Sequence, residues 1–139
     1  MIKYINSHEF KVLIFETDKF MLNQVRSQIE IYGWQTYLIN SLEELLKFKE
    51  MNSVGLVLID DNANRRIISS SKIDVAKYIR FMGHPFAIVS LTSTLGQKPS
   101  SSFFTDSLAK PIVDRSIVKL KKMALDVLYE IALSLEKNI

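Results

Sequence analysis

Four polar residues stand at the ends of short apolar runs, and together they could build one ionic site. Glu16 follows the run 12–15, Asp60 follows 56–59, Ser90 follows 86–89, and Lys110 precedes Pro111. Two carboxylates and an ammonium can form a buried ion pair or shift one another's protonation, and a hydroxyl adds a hydrogen-bond donor. Their spacing is 44 (16 to 60), 30 (60 to 90) and 20 (90 to 110) residues. Short apolar runs separated by helical patterns read as buried parallel strands, and in such sheets the site lies outside the carboxyl ends of the strands. The four side chains are therefore expected in one crevice.

The elements that must position them follow from pattern and punctuation. Residues 1–10 read as a polar lead-in and 11–15 as the first strand. Asp18 can cap a helix over 19–32, with Leu22, Val25 and Ile29 on one face and Gly33 as its stop. The aromatic and β-branched stretch 34–39 is a second strand. Ser41 and Glu44 form an S-x-x-E capping box for a helix reaching about Met51, and 54–59 is a third strand. A polar loop is expected over 61–65, then a helix over 73–82 ended by Gly83-His84-Pro85, a fourth strand over 86–91, a broken stretch over 92–106, a short strand over 107–109 and a final helix over 113–137. Alternating strands and helices predict an α/β fold: a doubly wound five-stranded parallel sheet, the flavodoxin-like three-layer sandwich.

The chain has 139 residues, 47% hydrophobic and 24% charged, the balance of one domain with a real core. Zero cysteines exclude a disulfide framework and thiolate chemistry. A net charge of +3 without a dense Lys/Arg cluster gives no nucleic-acid footprint. No apolar stretch approaches a membrane span and the first residues lack a signal-peptide core, so the expected location is cytoplasmic, as a free domain or as the cytoplasmic part of a membrane sensor kinase.

On the residues 12–18, 56–60, 88–90 and 108–112 in this order and at these intervals, the chain resembles the receiver domains of bacterial two-component signalling, the CheY-like superfamily. The likeness covers about 11–129, and Leu108-Ala-Lys-Pro-Ile112 is wording common in receivers attached to hybrid histidine kinases. The resemblance implies Asp60 as acceptor of a phosphoryl group from a histidine kinase or phosphotransfer protein, Ser90 as hydrogen-bond donor to that group and Lys110 as its ionic partner. It also implies a Mg²⁺ ion held by Glu16 and Asp60, with Asp18 as a further candidate ligand, because charge accumulates where a phosphoryl group meets an anionic nucleophile.

Departures from the family pattern imply an atypical, pseudo-receiver form. Thr17 stands where a second acidic residue is usual, which predicts a weak Mg²⁺ site and impaired phosphorylation. Ser107 stands where an aromatic residue is common, three positions before the lysine, and Asp61-Asn-Ala-Asn64 replaces a usual Met-Pro pair. The expected function is a regulatory protein-interaction module of two-component signalling, with a working phosphoacceptor receiver as the alternative. Partners implied are a histidine kinase, a phosphotransfer domain or adjoining domains of a hybrid kinase.

Simpler roles exist for each residue. Asp60 could cap a strand end, Lys110 could be a structural partner for Asp60 or Glu16, and Ser90 could be a buried hydroxyl bonded to backbone. His8 and His84 have no metal-ligand spacing, Trp34 and Phe103-Phe104 read as packing residues, and Lys119, Lys121 and Lys122 as a solvated helix face. Enzyme sites are not indicated: no G-x-G-x-x-G or Walker lysine occurs, Asp60-Asp-Asn-Ala63 lacks the D-x-D of haloacid-dehalogenase-type phosphatases, and Glu16-Thr-Asp-Lys19 would repel a flavin phosphate. The final helix carries a wide apolar stripe (Leu120, Leu128 and Leu135, widened by Val118 and Leu125), which points to burial by an adjoining domain or a homodimer.

Overall fold

The computed structural model describes residues 11–82, 87–93, 97–110, 118–123 and 125–126. Five parallel strands, β1 (Lys11–Phe15), β2 (Gln35–Ile39), β3 (Leu56–Asp60), β4 (Ala87–Thr92) and β5 (Asp106–Ala109), form one sheet in the order β2-β1-β3-β4-β5. This is the predicted doubly wound topology, and the order reverses between β1 and β3. A parallel sheet needs crossovers that cover its faces, which is why its central strands β1, β3 and β4 are buried on both sides. Val12, Ile14, Leu56, Leu58, Val89 and Leu91 pack on one face with helix α1 (Lys19–Glu30) and Leu120. Leu13, Phe15, Val57, Ile59 and Ile88 pack on the other against helices α2 (Leu42–Lys47), α3 (Asp61–Ser71) and α4 (Val75–Phe81).

Local chemistry sets the helix ends. Asp18 caps α1, its Oδ1 accepting from the amides of Phe20 and Met21 at 2.9 and 3.1 Å. Gly33, at φ 83°, turns the chain from α1 into β2 in a conformation that costs an L-residue about 1–2 kcal/mol. A Cβ there would meet nothing within 4 Å, so Gly33→Ala is expected to lose about 1 kcal/mol from backbone strain alone, seen as a lower urea midpoint at unchanged m. Ser41 caps α2 through the Glu44 amide at 3.2 Å. That helix stops earlier than the expected Met51, because Phe48 turns to extended backbone and sets its ring edge-on to Tyr37, 5.1 Å between centroids.

The largest departure from the sequence reading is at 61–65. These residues are helix, not a polar loop: α3 starts directly at Asp61 with Asp60 as its N-cap, an additional helix ahead of the one expected over 73–82, which is present as α4. Lys72, at φ 60°, closes α3 in the left-handed conformation, its amide bonded to Ile68 O at 2.9 Å. The stretch 97–105 is not helical, in line with its Pro and Ser content. Residues 118–123 and 125–126 are helical, with Leu120 buried and Val118 and Leu125 exposed. The remainder of the expected final helix, with Leu128 and Leu135, lies outside the described residues, as do His8, His84 and Pro111.

Candidate functional site

Ligand sites in doubly wound sheets form where strand order reverses, and here that point lies between the ends of β1 and β3. Glu16 leaves β1 with its amide bonded to Ile39 O at 3.1 Å, and Asp60 ends β3; each is only 5% exposed. Asp60 Oδ1 accepts from Lys110 Nζ at 2.6 Å, and Oδ2 accepts from the Ala63 amide at 2.9 Å at the start of α3. Asp60 thus holds an ammonium with one oxygen and a helix N-terminus with the other, each a charge-assisted or dipole-aligned contact. Lys110 is in turn nearly buried, its side chain 11% exposed.

Glu16 has no such support. Its Oε2 is buried without a hydrogen-bond partner, and its pKa is pushed up from 4.5 to about 7. Burial is the main cause, followed by repulsion from Asp60 and a hydrogen bond shared with it; Lys110 works in the opposite direction, and Asp18 adds a little. Beside the Asp60 carboxyl, Glu16 thus holds a proton near neutrality.

Three of the four sequence-derived residues, Glu16, Asp60 and Lys110, meet. Ser90 does not join them. It lies one ladder step below Asp60, in the row Phe15, Ile59, Ser90 and Ser107, so alternation turns its side chain to the α2–α4 face. There it is fully buried, with its hydroxyl 3.5 Å from Asp61 Oδ1. Thr17 Oγ1 accepts from the Arg66 guanidinium at 2.9 Å, and Asp18 is committed to its capping bonds. Among the described residues no three acidic or histidine side chains converge in a way that could hold a metal.

Two functional-looking residues were not expected. Asp61 is 1% exposed and binds the Ser100 amide through Oδ1 at 2.8 Å and Arg65 through Oδ2 at 3.0 Å. Asn64 is fully buried and fully bonded: Nδ2 donates to Asp74 and to Ser100 Oγ, and Oδ1 accepts from the Val75 amide at 2.7 Å. The sequence signal for Asp61 was an acid directly after an Asp at a strand end, an N-cap and first-turn pattern; Asn64 had none. Elsewhere, Trp34 is 4% exposed and packs in the core, with Lys121 Nζ 5.7 Å from its ring centroid. Phe103 and Phe104 pack on the α2–α4 face, and Lys119 pairs with Asp106 at 2.9 Å.

Solved structures share this arrangement of strands and helices. A response regulator receiver domain from Clostridium thermocellum superposes with a TM-score of 0.67 at 19% identity, over 88% of this chain and 98% of that one. The chain has the receiver-domain fold. A second receiver-fold structure, the response regulator TrrA from Thermotoga maritima in complex with Mg(2+)-BeF, matches with a TM-score of 0.64 at 21% identity, over 82% of this chain and 98% of that one. A third is the N-terminal domain of a response regulator/sensory box/GGDEF protein from Carboxydothermus hydrogenoformans, with a TM-score of 0.61 at 18% identity, over 88% and 98%. No protein-family model and no curated protein sequence matches. No described helix of this receiver fold is long and apolar enough to cross a membrane.

Proposed function

We propose that the chain is an atypical receiver-like domain of two-component signalling, a regulatory protein-interaction module in which Mg²⁺-dependent phosphorylation of Asp60 is impaired. The observation that carries this reading is the commitment of Asp60: one oxygen is held by Lys110 at 2.6 Å and the other caps α3. A phosphoryl group added to Asp60 competes for room with these two bonds. Its partners on this reading are a histidine kinase, a phosphotransfer domain or adjoining domains of a hybrid kinase, in the cytoplasm. Val118 and Leu125, 68% and 39% exposed, offer apolar surface for self-association.

The donor set fits Mg²⁺ only as a weak site. Glu16 Oε2 is an unpartnered buried oxygen beside Asp60, so these two carboxylates would hold the ion, which when bound would offset charge between them and a phosphoryl group. Thr17 limits it, offering a neutral hydroxyl that already bonds Arg66. Lys110 on Asp60 keeps the alternative of a working phosphoacceptor open, since the ammonium sits where a phosphoryl oxygen on Asp60 would need a cation.

Acetyl phosphate with Mg²⁺, followed by intact mass, is expected to give no stable +80 Da species from the unmodified chain. Thr17→Asp is expected to tighten Mg²⁺ binding roughly tenfold or more, since even outer-shell partners of a metal are worth that much. Efficient labelling of the unmodified chain that disappears in Asp60→Asn would establish the phosphoacceptor reading instead.

A further inference from the structure

Strand β2 is one edge of the sheet, and among the described residues it pairs only with β1. The Ile39 carbonyl accepts from the Glu16 amide at 3.1 Å, so Ile39 turns its backbone groups toward β1. Alternation along a parallel ladder gives Gln35 and Tyr37 the same direction and points the N–H and C=O of Thr36 and Leu38 outward. Folded proteins usually blunt such an edge with a lysine, a proline or a bulge. Gln35-Thr-Tyr-Leu-Ile39 has none of these and carries no charge. Thr36, Tyr37 and Leu38 are half-buried, so the edge is a β-prone strand that offers both donors and acceptors.

The helix that lies over this edge supplies charges. Met21, Gln24 and Gln28 of α1 border a cavity shared with Lys110, so Arg26 and Glu30 take the opposite flank, toward β2. Glu30 Oε1 accepts from Thr36 Oγ1 at 2.7 Å, which sets Glu30 at the level of Thr36. Arg26 lies four residues earlier, about 6 Å along a helix that runs opposite to β2, and so near the level of Leu38, about 6.6 Å along the strand. Its Nε is buried without a hydrogen-bond partner, and among the described residues Arg26 and Glu30 form no ion pair with each other. We infer that β2 pairs antiparallel with β2 of a second copy of this chain, about a two-fold axis at Tyr37. Thr36 of each copy then faces Leu38 of the other and exchanges both backbone hydrogen bonds with it. In the same register Arg26 of each copy reaches the level of Glu30 of the other, giving reciprocal ion pairs across the axis. The edge is thus self-complementary in hydrogen bonding and in charge at once. Two five-stranded sheets become one continuous sheet, with the Glu16 and Asp60 crevices opening at its opposite faces of the pair's axis. This interface stands on β2 and α1, whatever chemistry Asp60 performs.

Sedimentation equilibrium and amide hydrogen exchange on the intact chain, from roughly 10 µM to 1 mM, test it. The mass is expected to rise toward that of a dimer, and exchange of the Thr36 and Leu38 amides to slow at least about tenfold with it, while those of Tyr37 and Ile39, which face β1, are protected throughout. Thr36→Pro removes an outward N–H and leaves the ladder to β1 whole, so it is expected to weaken association at least about tenfold. Arg26→Glu sets an acid against Glu30 of the other copy and is expected to weaken it similarly, whereas Arg26→Glu combined with Glu30→Arg reverses the pair and restores association. Val118→Glu with Leu125→Glu, on the far side of the chain's last described helix, is expected to leave protection of Thr36 and Leu38 unchanged; loss of that protection would move the interface to this helix and overturn the pairing. Thr36 and Leu38 amides whose exchange does not depend on concentration would overturn it too, a result read on the unmodified chain. So would a charge swap that fails to restore what Arg26→Glu removes.

Discussion

Lys110→Met is expected to destabilise the domain by about 3–5 kcal/mol at pH 8, the cost of breaking a buried ion pair from one side. The substitution keeps the length and most of the volume of the side chain, so the loss is electrostatic. It leaves Asp60 5% exposed with its helix cap but without the ammonium 2.6 Å away, and it leaves Glu16 without the one charge that lowers its pKa. Adding Asp60→Asn should recover much of the loss, because the carboxylate that Lys110 neutralises is then gone. Urea melts of the two single variants and the double variant form the cycle that measures this coupling. A loss below about 1 kcal/mol for Lys110→Met would place the pair among surface ion pairs, which contribute that little.

Glu16→Gln is expected to act in the opposite direction. In the folded chain the Glu16 carboxyl titrates at about 7 against 4.5 for the ordinary group, so the native state keeps a proton that the unfolded chain releases. Its contribution to stability is therefore complete below about pH 4.5 and is lost as pH rises through 7, by up to about 3 kcal/mol. Glutamine keeps the shape and cannot ionise. The variant should be more stable than the unmodified chain at pH 8, by about 2–3 kcal/mol at most, and close to it at pH 5. Melts at the two pH values decide the matter; a variant less stable at pH 8 would mean that the Glu16 charge is needed to balance Lys110.

The three central strands were legible because each is a short apolar run that cannot sit on a surface, and the edge strands β2 and β5 followed from the alternation of strand and helix patterns around them. Glu16 and Asp60 were legible for a related reason: a polar residue directly after a buried run must emerge at the sheet edge. Helix α3 was not. Asp61, Asn62 and Asn64 have loop composition, and what makes them helical is tertiary: Asp60 caps the first turn, while Asn64 is buried because Ser100, Asp74 and the Val75 amide surround it. The direction of Ser90 was out of reach as well. Its place after an apolar run suggested the crevice, but the register pairs it with Ile59 rather than Asp60, and a shift of one ladder step changes the face.

The all-parallel sheet has a consequence for how the molecule assembles. No two neighbouring strands are joined by a hairpin, so every ladder waits for a crossover, and β1 meets β3 only after α1, β2 and α2 have been threaded past. Such chains fold slowly for their size because loop closure precedes the contacts that reward it. Lys110 follows β5, the last strand among the described residues, and β5 places it beside Asp60 by docking on β4. Until that moment the two carboxylates at the centre of the sheet face each other without their cation. Completion of folding is thus tied to charge neutralisation, and the final step should run faster in mild acid, where Glu16 carries a proton, than in alkali.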